Sequence, residues 1–290
     1  MSRADRLQTL RNSGGYFPVE HTALIRVTGA DRARYLNGQL TVDIFKLAVG
    51  SARSALLLTA KGKLCAPLWV WQEGDSLVIE VVESLREETL ARLERYIISD
   101  DVTLAFIAPP SPVFHVFGSV APPAGALQIN RLGVCGYDTS RAPAEMLMAD
   151  PAEAEFLRID RAIPRWGSEL DSSTLPQEAR LDSSSVDFNK GCYVGQEVVS
   201  RLKSVGRVNR CLHAFRGTLD PTSDEQLSLH LPGQPGDLAG VLTSRSSDFE
   251  LAETIGLGYL NREFEDSESF VAADMAGNAL GKLVKRPILT

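Results

Sequence analysis

The order of secondary-structure patterns constrains the fold of this 290-residue chain more than any other feature. From Leu212 onward, short β-rich runs are separated by Pro-Gly, Gly-Asp and Ala-Gly-Asn turns, which is typical of a small all-β domain. Upstream of that point, strand patterns alternate with helical ones. We therefore predict an α+β fold with two parts, an α+β region over residues 1–210 and a C-terminal small β-barrel over residues 211–290.

The α+β region contains both periodicities. A three-strand meander is predicted by β-rich runs at residues 54–59, 64–71 and 76–82. A capping-box pattern at Ser84–Glu87 predicts the next helix, and Asp150 before Pro151 predicts a later one that runs to Ala162. The polar stretch 167–187 has neither periodicity, and irregular segments of that length tend to line a site or to bridge domains.

Composition argues against several classes of protein. The net charge of -7 disfavours non-specific nucleic-acid binding by the whole molecule, so contact with RNA is expected to be local or indirect at most. No apolar run has the length of a signal peptide or a membrane span, which predicts a cytoplasmic protein with no membrane partner. The four cysteines have neither C-x-x-C nor zinc-finger spacing, so we expect no disulfide framework and no self-contained metal site: Cys65, Cys135, Cys192 and Cys211.

The run Lys190–Glu197, KGCYVGQE, places a cysteine just before a helical pattern that begins at Gln196. The N-terminus of a helix favours an anion, and Lys190 adds a positive charge two residues from Cys192. Glycines on both sides permit backbone angles or close approaches that a side chain would block. We expect these effects to favour the thiolate and hence a reactive cysteine. The alternative is an inert cysteine buried with Tyr193.

The same run resembles the K-G-C-[YF]-x-G-Q-E signature of the YgfZ family of folate-binding proteins, which is related to the glycine-cleavage T-protein and to a mitochondrial iron–sulfur assembly factor. Gly29–Asp43 resembles the family pattern G-x-D-x-x-x-[FY]-L-x-G-Q-x-T-x-D. Leu157–Gly167 resembles R-[IL]-E-x-G-[IM]-P-x-x-G, and residues 236–244 resemble the G-x-x-x-G-x-x-T-S of the T-protein's terminal barrel. The resemblance therefore covers most of the chain.

The resemblance implies a T-protein-like folate-binding region, with two subdomains around a central hole and a small β-barrel closing the back. It implies a protein that binds tetrahydrofolate and uses a reactive cysteine to support assembly or repair of iron–sulfur enzymes, including tRNA-modifying ones. Iron–sulfur client or carrier proteins would be its partners. Cys192 would ligate a transient iron–sulfur cluster, or carry an adduct beside the folate.

The resemblance also implies the folate contacts. In the relatives the acidic residue of the R-[IL]-E pattern contacts the pterin, and Asp160, one methylene shorter, occupies that position here. The residues expected to hold the folate are Arg158, Asp160, Trp166, Lys190, Tyr193 and Gln196. Without the resemblance, Asp160 is equally a solvated helix carboxylate paired with a neighbouring arginine, and Trp166 a core residue.

One segment separates this chain from the T-protein itself. Gly62–Val70 resembles that enzyme's G-G-x-x-D-D-x-x-V stretch, but Ala66 and Pro67 replace the aspartate pair. Neither residue can accept a proton or stabilise a cation, so we predict that the chain is not a standard aminomethyltransferase. Two alternatives to the iron–sulfur role stay open: a folate-dependent one-carbon transferase with an unknown acceptor, and a non-catalytic folate-binding adaptor.

Overall fold

The structure, a computed structural model, describes residues 1–219, 226–248 and 253–288. Within these ranges the chain forms two open β-sheets, a closed barrel and five α-helices. The helices are α1 Arg3–Ser13, α2 Arg32–Gln39, α3 Arg86–Glu94, α4 Pro151–Asp160 and α5 Gln196–Ser204. None of the helices in the described part of the chain has both the length and the apolar content that crossing a membrane requires.

The first sheet has five antiparallel strands in the order β3-β4-β5-β2-β6. Its strands are β2 Thr22–Thr28, β3 Arg53–Leu58, β4 Leu64–Glu73, β5 Ser76–Val82 and β6 Thr103–Ile107. One face carries alternating buried side chains such as Ile25, Val70 and Ile79, which pack with Leu36 of α2 and Leu93 of α3. The predicted meander is confirmed, because β3, β4 and β5 are consecutive neighbours.

The second sheet is smaller and has the order β1-β7-β9-β8. Its strands are β1 Gly15–Pro18, β7 Phe114–Phe117, β8 Leu127–Gln128 and β9 Gly136–Thr139. Phe117 packs with Leu10 of α1, Phe156 of α4 and Leu257 of the barrel in one buried cluster. The helix α4 therefore lies where the second sheet, α1 and the barrel meet.

The C-terminal strands form a closed barrel in the order β10-β13-β12-β11-β14-β15. They are β10 Arg210–Leu219, β11 Leu227–Leu231, β12 Gln234–Asp248, β13 Glu253–Asn261, β14 Ser269–Ala273 and β15 Ala279–Arg286. Phe215, Leu229, Leu260, Phe270 and Leu283 form a separate buried cluster contributed by five of these strands. The predicted α+β fold with a C-terminal β-barrel is confirmed.

The presence of helices α3 and α4 was predicted correctly, but the residues at which they begin or end were predicted less well. Asp150 caps α4 as predicted, since its carboxylate accepts a hydrogen bond from Glu153 N at 2.8 Å. The helix ends at Asp160 rather than Ala162, because Ala162 has the left-handed φ of 54° at which helix ends usually place glycine. The capping box predicted at Ser84 is wrong, because residues 83–85 form a short 3-10 turn and α3 begins at Arg86.

Candidate functional site

Residues 190–195, here called the thiol loop, join the two motifs that lie about 150 residues apart in sequence. The Lys190 ammonium donates hydrogen bonds to the carbonyl oxygens of Asn37, Leu40 and Val42 at 2.5, 2.7 and 2.9 Å. The backbone N–H of Val194 donates to the carbonyl of Gly38 at 3.1 Å. The KGCYVGQE run is therefore held against the C-terminal end of α2, where the Gly29–Asp43 motif ends.

Lys190 is a structural residue of this loop. Its side chain is 8% exposed, and burial lowers its pKa to about 8, although Asp43 and Asp187 oppose that shift. All three ammonium N–H groups are used by backbone carbonyls. The folate contact expected of Lys190 stays a prediction, and it would require a ligand to replace one of these three carbonyls.

Gly195 is the glycine that the loop requires. It precedes α5 with a φ of 88°, and a Cβ there would lie 2.6 Å from the carbonyl oxygen of Thr59. A Cβ on Gly191 would meet open space, so a side chain would be sterically tolerated at that position. The close approach expected from both glycines is therefore found only at Gly195.

Cys192 is a free, exposed cysteine, and α5 begins at Gln196 as the sequence predicted. The next side chain points the other way: Tyr193 is 7% exposed and packs with Leu58, Leu170 and Val199. Burial raises the pKa of Tyr193 to about 12. The alternative of a cysteine buried with Tyr193 is therefore wrong, because only the tyrosine enters the core.

A central cavity of about 1840 Å³ lies between the three parts of the fold. This volume exceeds the several hundred cubic ångströms of a typical small-molecule pocket. Its walls come from the sheets, from α4 and the irregular segment 163–185, and from the end of the barrel. The irregular segment predicted to line a site or bridge domains does line this cavity.

The cavity wall combines flat aromatic groups with many cations. Trp69 and Trp166 both line it. Seven arginines line it against five acidic residues; the arginines are Arg53, Arg131, Arg158, Arg161, Arg165, Arg180 and Arg286. Such a wall suits a ligand with flat rings and negative charge.

Arg158 organises one side of this wall. Its guanidinium forms a two-bond pair with Glu155 at 2.8 and 2.7 Å and donates to Glu169 at 2.9 Å, to Ser244 at 2.8 Å and to the Ile163 carbonyl at 2.6 Å. Burial alone would lower the pKa of Arg158, but the two glutamates outweigh it and raise the pKa. Since all five N–H groups are used, Arg158 positions α4 against the barrel. Its expected folate contact stays a prediction, and a ligand would have to replace one of these partners.

Asp160 faces away from the cavity. Two residues along a helix correspond to about 200°, so Asp160 lies nearly opposite Arg158 on α4. Its carboxylate accepts two hydrogen bonds from Arg11 at 3.2 Å, and Arg286 lies 3.6 Å away. The pterin contact expected of Asp160 stays a prediction, although Asp160 is not among the residues that line the cavity. Of the alternative, the pairing with arginine is found, but the partner is Arg11 rather than a neighbouring arginine, and the carboxylate is largely buried.

The predicted site residues thus form two groups. Trp166 and Arg158 line the central cavity, whereas Lys190, Cys192, Tyr193 and Gln196 belong to the thiol loop and the start of α5. The two groups meet in one apolar cluster, because Tyr193 of the thiol loop belongs to it and Trp166 of the cavity packs against it.

Sequence reasoning missed Arg131, the most tightly paired cation of the cavity. Its guanidinium pairs with Glu80 at 2.5 and 2.7 Å and with Asp138 at 2.6 Å. Asp138 in turn bonds the fully buried His115 at 2.9 Å. No local pattern signals this network, because its members come from β5, β7, β9 and the connection before β9.

Comparison with known proteins gives relatives in sequence and in structure. No protein-family model matches the chain. The tRNA-modifying protein YgfZ of Sodalis glossinidius is 28% identical over 246 residues, which cover 73% of this chain and 75% of that protein. Its counterparts in Escherichia coli O157:H7 and Yersinia pseudotuberculosis are each 27% identical over 73% of this chain, covering 76% and 74% of those proteins. The predicted resemblance to YgfZ proteins is confirmed.

A solved structure shows the same fold. The crystal structure of glycine cleavage system aminomethyltransferase T from Bartonella henselae matches with a TM-score of 0.79 at 15% identity, covering 98% of this chain and 88% of that one. The T-protein-like architecture predicted from the motifs is therefore confirmed over nearly the whole chain.

Proposed function

We propose that this chain, a relative of the YgfZ proteins with the fold of the T-protein, binds folate and supports assembly or repair of iron–sulfur enzymes, including tRNA-modifying ones. The observation that carries the proposal is the central cavity of about 1840 Å³ with two tryptophans and seven arginines in its wall. Tetrahydrofolate is long, has a flat pterin and a benzoyl ring, and ends in carboxylates. Aromatic rings and guanidinium groups complement these parts.

One cavity residue supports an anionic ligand more specifically. Arg161 lines the cavity, and its buried Nε has no hydrogen-bond partner within residues 1–219, 226–248 and 253–288. Burial lowers the pKa of Arg161, against the attraction of Asp160. A carboxylate would supply both an acceptor and a counter-charge. We therefore assign the glutamate end of folate to Arg161 and the flat rings to Trp69 and Trp166.

Cys192 has a separate part in the proposal. Its exposed position allows another protein to approach the sulfur, and a thiolate is a soft ligand suited to iron–sulfur clusters. In this scheme the cluster is cargo that Cys192 ligates while a client or carrier protein supplies the other ligands. Bound folate would supply one-carbon or reducing chemistry from the central cavity.

Standard aminomethyl transfer fits the cavity poorly. Ala66 is fully buried in the sheet core, and Pro67 lines the cavity where the T-protein motif has aspartate. Without that carboxylate the wall offers no proton acceptor at this position. We expect no folate-dependent ammonia release from an aminomethylated carrier protein, and measurable release would restore the transferase alternative.

Folate binding can be tested with the three tryptophans of the chain. Tetrahydrofolate titrated into the purified protein should quench tryptophan fluorescence, because Trp69 and Trp166 line the cavity. Trp69→Phe and Trp166→Phe should each remove part of the quenching. Trp71→Phe is the matched control, since Trp71 is buried with Leu24 and Val78.

Arg161→Gln should weaken tetrahydrofolate binding about tenfold or more through loss of a charged hydrogen-bond donor. Equal quenching of the wild type and of both Trp69→Phe and Trp166→Phe would place the ligand elsewhere. No saturable quenching, checked by calorimetry, would contradict the folate proposal.

The thiol can be tested by complementation. In cells that lack their own copy of the protein, Cys192→Ser should fail to restore tRNA thiolation by an iron–sulfur enzyme. The exposed Cys135 gives the control Cys135→Ser, which should restore it fully. Circular dichroism should show both variants folded. Full complementation by Cys192→Ser would remove the thiol from the mechanism and favour the adaptor alternative.

A further inference from the structure

We propose that Cys211, His213 and Glu265 bind a divalent transition metal ion such as zinc. Each residue offers one ligand atom, and these atoms all lie within 4.8 Å of one another. The site is distinct from the thiol loop, and it does not depend on the proposed folate function.

The barrel brings the three residues together by simple geometry. Cys211 and His213 are two residues apart on β10, so their side chains leave the same face of the strand. Glu265 follows a 3-10 turn at Arg262–Phe264, which is fixed to the start of β10 by a hydrogen bond from Arg262 N to the Asn209 carbonyl at 2.9 Å. Strand and turn therefore present sulfur, nitrogen and oxygen at one end of the barrel.

His213 shows a vacant hydrogen-bonding position. Its Nε2 is buried and has no partner in the described ranges 1–219, 226–248 and 253–288. A buried polar atom without a partner costs about 1–3 kcal/mol, and a metal–nitrogen bond would remove that cost.

The ligand set selects the class of ion. Thiolate, imidazole and carboxylate together are typical of zinc, with bonds of about 2.0–2.3 Å and tetrahedral geometry. Ligand atoms around such an ion lie about 3.5 Å apart, so these three side chains need to close by about 1 Å. Cys211 and His213 line the central cavity, so the fourth position would face that cavity, as in zinc sites that keep one position open.

The surrounding charges are compatible with a bound cation. On metal binding the Cys211 thiol releases one proton to solvent, and its thiolate together with the Glu265 carboxylate balances a 2+ ion. Two cations lie nearby: Arg180 Nε donates to the Leu212 carbonyl at 2.7 Å, and the charge of Lys285 is offset by Glu268 at 3.2 Å. Lys285 donates to the backbone carbonyl of Glu265 at 2.6 Å.

The test uses the full chain, stripped of metal, reduced with a phosphine and free of folate. Co²⁺ titration should give one equivalent of bound ion with the visible bands of tetrahedral cobalt and a sulfur-to-cobalt charge-transfer band. Zn²⁺ should displace it. Cys211→Ser and His213→Gln should each weaken Zn²⁺ binding by about 100-fold and Glu265→Gln by about tenfold, as expected for lost ligands of unequal strength.

Two variants serve as controls. Cys135→Ser removes an exposed thiol outside the cluster, and Glu20→Gln removes a cavity-lining carboxylate that lies 3.8 Å from His21. Both should bind Zn²⁺ as the wild type does. The absence of saturable binding, tight binding by both Cys211→Ser and His213→Gln, or loss of the charge-transfer band in Cys135→Ser would each overturn the proposal. Thermal melting of every variant without metal separates lost ligation from unfolding.

Discussion

Cys192 and Cys211 are near neighbours in sequence, yet their surroundings are opposite. Cys192 is exposed in a loop, and the ammonium of Lys190 beside it is occupied by three backbone carbonyls. Cys211 is half-buried on a barrel strand, where burial raises its pKa although Arg180 opposes the shift. Its neighbours are potential ligands, the His213 ring and the Glu265 carboxylate.

The different surroundings of Cys192 and Cys211 suit two different roles for a cysteine thiol. An exposed thiol on a rigid loop can meet a partner protein, which suits transient ligation of cargo. A half-buried thiol beside an imidazole and a carboxylate has the ligands needed to retain an ion without a partner. A signature motif surrounds the first cysteine, whereas only the folded barrel assembles the surroundings of the second.

Alkylation rates give the most sensitive test of this contrast. In the metal-free protein, iodoacetamide should modify Cys192 at least about 100-fold faster than Cys211, because reaction needs an accessible thiolate. Peptide mass spectrometry over time measures both rates in one sample. Zn²⁺ should slow Cys211 further and leave Cys192 unchanged. The exposed Cys135 is the internal control for accessibility, and comparable rates at Cys192 and Cys211 would contradict the distinction.

The rigidity of the thiol loop should depend strongly on Lys190. Lys190→Met leaves three backbone carbonyls without their donor, and we expect the free energy of unfolding to fall by about 3 kcal/mol. The control is Lys203→Met, because the Lys203 ammonium lies 3.5 Å from the Phe188 ring centre on an exposed side chain and should contribute under about 1 kcal/mol. Urea denaturation measures both, and equal losses would mean that the three bonds do not fix the loop.

A smaller loss is expected at the glycine before α5. Gly195→Ala places a side chain at a left-handed φ and within 2.6 Å of the Thr59 carbonyl, which should cost about 2 kcal/mol. Gly191→Ala is the matched control, since its Cβ would meet open space, and it should change stability by less than about 0.5 kcal/mol. Chemical denaturation and the alkylation rate of Cys192 would report both effects. A Gly191→Ala loss as large as that of Gly195→Ala would contradict this assignment.

Local patterns predicted the elements of the fold well. Strands β3, β4 and β5 were predictable because each has its β-rich pattern within a short stretch of sequence. The same holds for the turns between barrel strands, whose Gly, Pro and Asn residues are adjacent in sequence. The position of Cys192 just before α5 was predicted for the same reason, because the cysteine and the start of the helix are four residues apart. Strands β11 and β15 were not predicted, although the LSLHL sequence of β11 alternates apolar and polar residues. Helix α1 was not predicted either, because its sequence is too polar to stand out.

Contacts between distant segments could not be predicted in the same way. The motif placed Lys190 beside a thiol, but its donors reach carbonyls of Asn37, Leu40 and Val42. The family pattern placed Asp160 at a pterin, whereas Arg11, near the start of the chain, holds its carboxylate. Both depend on which segments pack together, and a linear pattern does not contain that information.

The smallest effect expected is the pH dependence of the thiol loop. Burial lowers the pKa of Lys190 from 10.5 to about 8, so between these values the folded chain binds fewer protons than the unfolded chain. Linkage then makes the free energy of unfolding rise with pH across this window, whereas below about pH 8 both states are protonated and the contribution is constant. Asp43, whose pKa is lowered by its hydrogen bond with Lys46, stays ionised there, and Tyr193, with a pKa of about 12, stays protonated.

Lys190→Met cannot show this dependence. The difference in unfolding free energy between wild type and Lys190→Met should therefore increase from pH 8 to pH 10 in urea titrations. Subtracting the variant removes the contributions of all the titratable groups that the two proteins share. A difference that stays constant would mean that Lys190 keeps an ordinary pKa, and that its three carbonyl partners stabilise the ammonium enough to cancel the effect of burial.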